Sequence, residues 1–190
     1  MKVSEARALM EEWTESPALR VHMEAVATCM RAYARELAPG EEERWTVTGL
    51  LHDYDYEKHP TEQEHPFVGV DNLRKLGVEE DILTAILGHA EYSGTPRESV
   101  LARALFAVDE LAGFLVACVK VRPDGIASLQ PKSVKKKLKD RSFAAAVSRD
   151  DITRGAEELG VDLTQHVQTC IDALGGDAER LGLQGSTGGS

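Results

Sequence analysis

The sequence predicts an all-α fold, a single-domain helical bundle, and three observations carry that expectation. Apolar residues recur at three- and four-residue spacing along most of the chain. Strictly alternating apolar and polar runs are scarce, and clusters of β-branched residues are few. Proline and glycine punctuate the periodic stretches where helices start and stop. At 190 residues the chain suits one well-buried domain.

The elements follow in order. Pro17 opens a stretch in which Leu19, His22, Val26, Cys29, Met30, Tyr33 and Leu37 share a helical face, and Pro39-Gly40 ends it. Glu41-Glu42-Glu43 is an acidic start suited to a helix N-terminus and leads into Trp45, Val47, Leu50 and Leu51. Residues 54–64 are polar, contain Pro60 and read as a loop. Helical patterning resumes over 65–76, with Gly77 as its C-terminal cap, and again over 79–90. After Gly94-Thr95-Pro96, the longest apolar helix covers 98–120 and ends at the turn Pro123-Asp124-Gly125. Helices are expected over 133–140, 142–147, 150–159 and 162–181. The Gly/Ser-rich stretch 182–190 reads as a disordered tail. One domain is thus expected over 1–181, with C-terminal helices over 130–181.

Composition narrows the function classes. Hydrophobic residues make up 42% and charged residues 28%, ordinary for a soluble globular protein. No apolar run approaches the ~20 residues of a membrane span, and the N-terminus lacks the apolar core of a secretory signal. Cys29, Cys118 and Cys170 are widely spaced among apolar neighbours, as reduced buried thiols of a cytoplasmic protein would be. A net charge of -10 argues against binding nucleic acid polymers through their phosphates. It leaves room for a small phosphorylated substrate held in a local cationic pocket.

The chemistry-bearing residues stand out because they interrupt apolar surroundings. His52-Asp53 follows Leu50-Leu51, His22 lies among Leu19, Ala25 and Val26, and Asp109 shares a helical face with Ala102, Leu105, Ala112 and Val116. A lone histidine on such a face is ordinarily a hydrogen-bonded core residue, and a buried ion pair is the plain alternative for Asp109. His22, His52, His65 and His89 together with two carboxylates change the balance toward a bound cation. So many nitrogen and oxygen donors, without thiolates, suit one or two ions of Fe, Mn, Co, Ni or Mg rather than a structural zinc.

At these residues the chain resembles the HD-domain superfamily of metal-dependent phosphohydrolases. The resemblance rests on His22, then Leu50-Leu51-His52-Asp53-Tyr54, then Ala107-Val108-Asp109-Glu110-Leu111. His65-Pro66-Phe67-Val68-Gly69 and Ile86-Leu87-Gly88-His89 resemble the additional motifs of two-metal members. It spans roughly residues 18–118 and implies a helical bundle of the HD type.

The resemblance also implies roles. His22, His52, Asp53 and Asp109 would hold a first ion, and Asp53 would bridge to a second held by His65 and His89. His52 and Asp53 would be central to catalysis, with a metal-activated hydroxide cleaving a phosphoester of a nucleotide or another small metabolite. Two alternatives stay open on the sequence, a di-iron oxygenase of the same superfamily and a non-catalytic metal- or nucleotide-binding module. For the substrate phosphate, Arg97, Lys132 and Arg20 are the candidate cations, since each lies near a motif or a loop-helix boundary. Lys135, Lys136, Lys137 and Lys139 read as a solvated helix surface. His59 reads as a solvated loop residue, and His166 as structural or surface. A monomer or homodimer is expected.

Overall fold

A computed structural model describes residues 1–185. Ten α-helices form among them: α1 Val3–Trp13, α2 Pro17–Leu37, α3 Glu42–Leu51, α4 Phe67–Lys75, α5 Glu80–His89, α6 Val100–Lys120, α7 Pro131–Leu138, α8 Arg149–Leu159, α9 Leu163–Gly176 and α10 Ala178–Leu181. The fold is all-α. The one β-type contact among the described residues is an isolated bridge between Gly125 and Gln184.

Two 21-residue helices, α2 and α6, are the spine. Ser16 and Ser99 cap them, each hydroxyl accepting from a backbone N–H three residues on. Helix α6 is apolar nearly all round, with Leu101, Leu105, Val108, Leu111, Phe114 and Leu115 buried, as a central helix should be. Helices α2, α5 and α8 pack on it, α3 lies along α2, and α9 packs against both α2 and α6. The α2/α3 crossing is tight. A Cβ at Gly49 would lie 2.6 Å from the Ala27 Cα, so only glycine permits an approach that sets His52 beside His22.

The C-terminal helices share this core. Ile152 of α8 and Val167, Cys170 and Leu174 of α9 belong to the same buried cluster as Val26 and Leu111. The apolar face of α9 therefore packs on the bundle. Cys29, Cys118 and Cys170 are free and buried.

Several local expectations need correction. Helix α1 was not foreseen, because it buries only Ala6 and Met10 on an otherwise polar surface. Helix α4 starts at Phe67, leaving His65 in the preceding turn. Residues 142–147 are turns, not a helix. There the Arg149 guanidinium gathers the carbonyls of Asp140, Phe143, Ala144 and Val147, and Ala144 takes a positive φ of 45°. Those carbonyls are accordingly turned toward one cation instead of along a helix axis. The last expected helix breaks at Asp177, between α9 and α10. The stretch assigned to a tail from 182 is ordered at its start: Leu183 is buried and its carbonyl accepts from the Ile126 N–H at 3.0 Å. Residues 186–190 lie outside the described residues.

No helix among the described residues is long and apolar enough to cross a membrane.

Candidate metal centre

Four helices and two turns bring six side chains together. His22 comes from the second turn of α2, His52 and Asp53 from the end of α3, His65 from the turn before α4, His89 from the last residue of α5, and Asp109 from the middle of α6. His52 is fully buried, and the Asp53 and Asp109 side chains are mostly covered.

The donors divide around the two oxygens of Asp53. On its Oδ2 side stand His22 Nε2 at 3.6 Å and His52 Nε2 at 3.5 Å. Asp109 Oδ1 lies 3.0 Å from the first nitrogen and 3.3 Å from the second. On the Oδ1 side stand His65 Nε2 at 3.3 Å and His89 Nε2 at 3.2 Å. Within each half, two imidazole Nε2 atoms face each other, at 3.2 Å for His22 and His52 and at 3.3 Å for His65 and His89. Each half, with Asp53, meets the spacing that would let its atoms share one ion.

The outer nitrogens explain why the inner ones converge. His52 Nδ1–H donates to the Gly49 carbonyl at 2.8 Å, and His89 Nδ1–H donates to the Ile86 carbonyl at 2.5 Å. A carbonyl only accepts, so both Nδ1 atoms carry protons and a neutral ring points an Nε2 lone pair inward. His65 Nδ1 lies 2.7 Å from Asp55 Oδ1, and the other Asp55 oxygen accepts the Gly69 N–H at 2.7 Å. A Cβ at Gly69 would fall 2.7 Å from the Asp55 Cγ, so glycine is needed for that carboxylate to seat. Lone pairs and carboxylate oxygens then face one another at about 3 Å, an arrangement that requires positive charge between them.

The titration behaviour says the same. Burial would lower His52, yet Asp53 and Asp109 raise it well above the usual imidazole range. Burial likewise opposes His65, but Asp53 and Asp55 lift it to about 9. Burial would raise the Asp53 carboxyl, and His52, His65 and His89 hold it well below its ordinary range. Asp109 is also buried and also held low, by His52 and His22. The cluster attracts cationic charge, which a proton or a divalent ion supplies, and the donor set fits the ion.

Asp55 is a supporting residue of the cluster whose place behind His65 the sequence did not reveal. It is 1% exposed and buttresses His65 from behind. Its signal was only an acidic residue two positions after the His-Asp pair.

The three candidate substrate cations lie elsewhere in the network. Arg97 donates to both carboxylate oxygens of Glu158 at 2.7 Å and to the Gly88 carbonyl, with its guanidinium over the Phe106 ring. Arg20 donates to the Thr14 and Glu11 carbonyls, tying α1 to α2. Lys132 sits exposed in the first turn of α7. None of the three pairs with Asp53 or Asp109 among the described residues. His59 is half-buried beside Glu64 and Trp13. His166 is fully buried, its Nδ1 2.5 Å from the Tyr33 hydroxyl and its Nε2–H donating to the Ala107 carbonyl.

Residues 20–113 match the family model of the HD domain, and all six clustered residues fall inside that span. A stretch of 93 residues is 37% identical to Ribonuclease Y from Oleidesulfovibrio alaskensis. It covers 48% of this chain and 17% of that relative, so the chain spans under a fifth of the relative's length. No solved structure matches the chain significantly. The matched segment, just under half of the chain, is similar to the HD domain.

Proposed function

We propose that this protein is a two-metal phosphohydrolase that cleaves a phosphoester of a nucleotide or another small phosphorylated metabolite. The observation that carries the reading is the set of four inward Nε2 atoms and two carboxylates, with Asp53 shared between its halves. His22, His52, Asp109 and Asp53 Oδ2 would hold one ion, and His65, His89 and Asp53 Oδ1 the second. Ions of Fe, Mn, Co, Ni or Mg bound there supply Lewis acidity toward a phosphoryl oxygen and lower the pKa of water from ~16 toward ~7.

The chain itself does the positioning. The Gly49 and Ile86 carbonyls and the Asp55 carboxylate each hold one ring nitrogen of His52, His89 and His65, so these rings present their donors without rearrangement. Asp53 turns one carboxylate oxygen to each half. His52 is fully buried, while the His22, Asp53 and Asp109 side chains stay partly exposed.

A small substrate agrees with the net charge of -10. The relative's name, a ribonuclease, argues for including phosphodiesters among the substrates tried. The test is phosphate or nucleotide release from nucleotides, sugar phosphates and a dinucleotide, with each metal supplied separately. Turnover that disappears in Asp53→Ala supports the proposal. A metal-loaded protein that cleaves no phosphoester, while consuming oxygen with iron, refutes it in favour of oxygenase chemistry.

A further inference from the structure

Two of the four tyrosines are buried and hydrogen-bonded, Tyr33 to His166 and Tyr54 to Gly69. The other two, Tyr56 at 42% and Tyr92 at 45% exposure, are the only aromatic rings among the large exposed apolar side chains described. Both stand beside the metal centre, and each follows one of its carboxylate or imidazole donors by three residues.

Tyr56 lies on the turn after Asp53, its N–H donating to the Asp53 carbonyl at 3.0 Å. Its ring meets His65 edge-on, with centroids 5.2 Å apart and planes at 84°. Tyr92 lies in the 3₁₀ turn Glu91–Ser93 that follows His89. That turn is pinned by the Ser93 hydroxyl, which donates to the Leu87 carbonyl at 2.6 Å. Tyr56 and Tyr92 thus present exposed aromatic faces on two hydrogen-bonded turns, and a tyrosine gives large contact area for only two side-chain torsions.

The charge nearby says what those faces contact. Partial burial first, and then the carboxylates of Asp53, Glu62 and Asp55, push the Tyr92 hydroxyl up to about 12, so carboxylates stand near it. Additional phosphates are disfavoured there, whereas a neutral planar ring is not. We infer that Tyr56 and Tyr92 are specificity-determining residues that stack on the heterocyclic base of a nucleoside phosphate, with its phosphate at the His/Asp cluster. This rests on the phosphohydrolase reading and narrows its substrate to nucleotides.

The test compares binding of two methylene phosphonate analogues, of AMP and of ribose 5-phosphate, whose C–P bond resists hydrolysis. Both are titrated into the manganese-loaded full chain. The AMP analogue should bind at least tenfold tighter, an advantage of the size one stacked base gives. Tyr56→Leu and Tyr92→Leu should each remove about fivefold to tenfold of it, Tyr56→Phe and Tyr92→Phe should retain it, and the ribose analogue should bind all variants alike. Equal binding of the two analogues by the wild type, or an advantage undiminished in both leucine variants, overturns the inference. A leucine variant that weakens both analogues equally also overturns it, because the ring then acts on the centre and not on the base. If AMP and ribose 5-phosphate are cleaved with equal efficiency, the inference fails while the hydrolase reading stands. Tyrosine-dependent preference for the AMP analogue without turnover of any phosphoester has the opposite meaning.

Discussion

Asp55→Asn separates the two halves of the centre. In the wild type one Asp55 oxygen accepts the Gly69 N–H and the other faces His65 Nδ1, both at 2.7 Å. Asparagine keeps the shape and still offers a carbonyl oxygen to Gly69. Its amide then points N–H groups at His65 Nδ1, which must become the acceptor. The ring proton moves to Nε2 and aims at Asp53 Oδ1, now 3.3 Å away, where an ion's ligand is needed. A charge-assisted hydrogen bond of roughly 1.5–3 kcal/mol is lost, which is about 10- to 100-fold in metal affinity at 1.4 kcal/mol per decade. The other half, His22, His52 and Asp109, has no contact with Asp55 and should bind its ion unchanged. Calorimetric titration of metal-free protein with Mn²⁺ reads both steps. Asp55→Asn should weaken one step by 10- to 100-fold and leave the other within about threefold. Two unchanged steps, or two equally weakened ones with the helical circular dichroism intact, would refute the reasoning.

Further perturbations test the fold and the electrostatics. In metal-free protein, His65 at about 9 is raised above its ordinary 6.5, so its share of stability is present below pH 6.5 and lost as pH rises through 9. Urea unfolding at pH 6 and pH 10 should differ by roughly 3 kcal/mol from this group, and a metal-free protein more stable at pH 10 would contradict it. Gly49→Ala places a Cβ 2.6 Å from the Ala27 Cα and should cost about 1–3 kcal/mol, read as a lowered Tm. Arg149→Ala leaves the carbonyls of residues 140–147 without their shared donor. Limited proteolysis should then cut within 140–148, while metal affinity stays as in the wild type.

The bundle and the six-residue centre were legible in the sequence because both are written locally. Helical periodicity survives in α2, α3, α5 and α6, and His22, His52-Asp53, His89 and Asp109 each interrupt an apolar face. What escaped depends on contacts between distant segments. Asp55 gains its meaning only from where His65 and Gly69 arrive. His166 sits where α2, α6 and α9 meet, so its partners Tyr33 and Ala107 lie 133 and 59 residues away. The stretch 142–147 has helix-forming alanines, and a single guanidinium from Arg149 overrides that propensity by drawing their carbonyls inward. Helix α1 is polar except for Ala6 and Met10, too weak a pattern to read before its docking on α3 is known. Arg97 and Arg20 looked available for substrate because Glu158 and the carbonyls of the α1–α2 turn were invisible as partners.

The most direct test of the central claim is metal content per chain, measured for the wild type and for Asp53→Ala after equilibration with Mn²⁺ and removal of free metal. Two ions per wild-type chain, falling to one or none in Asp53→Ala with the fold retained, is the result that a shared Asp53 requires. Two ions retained by the variant, or none held by the wild type, would contradict it.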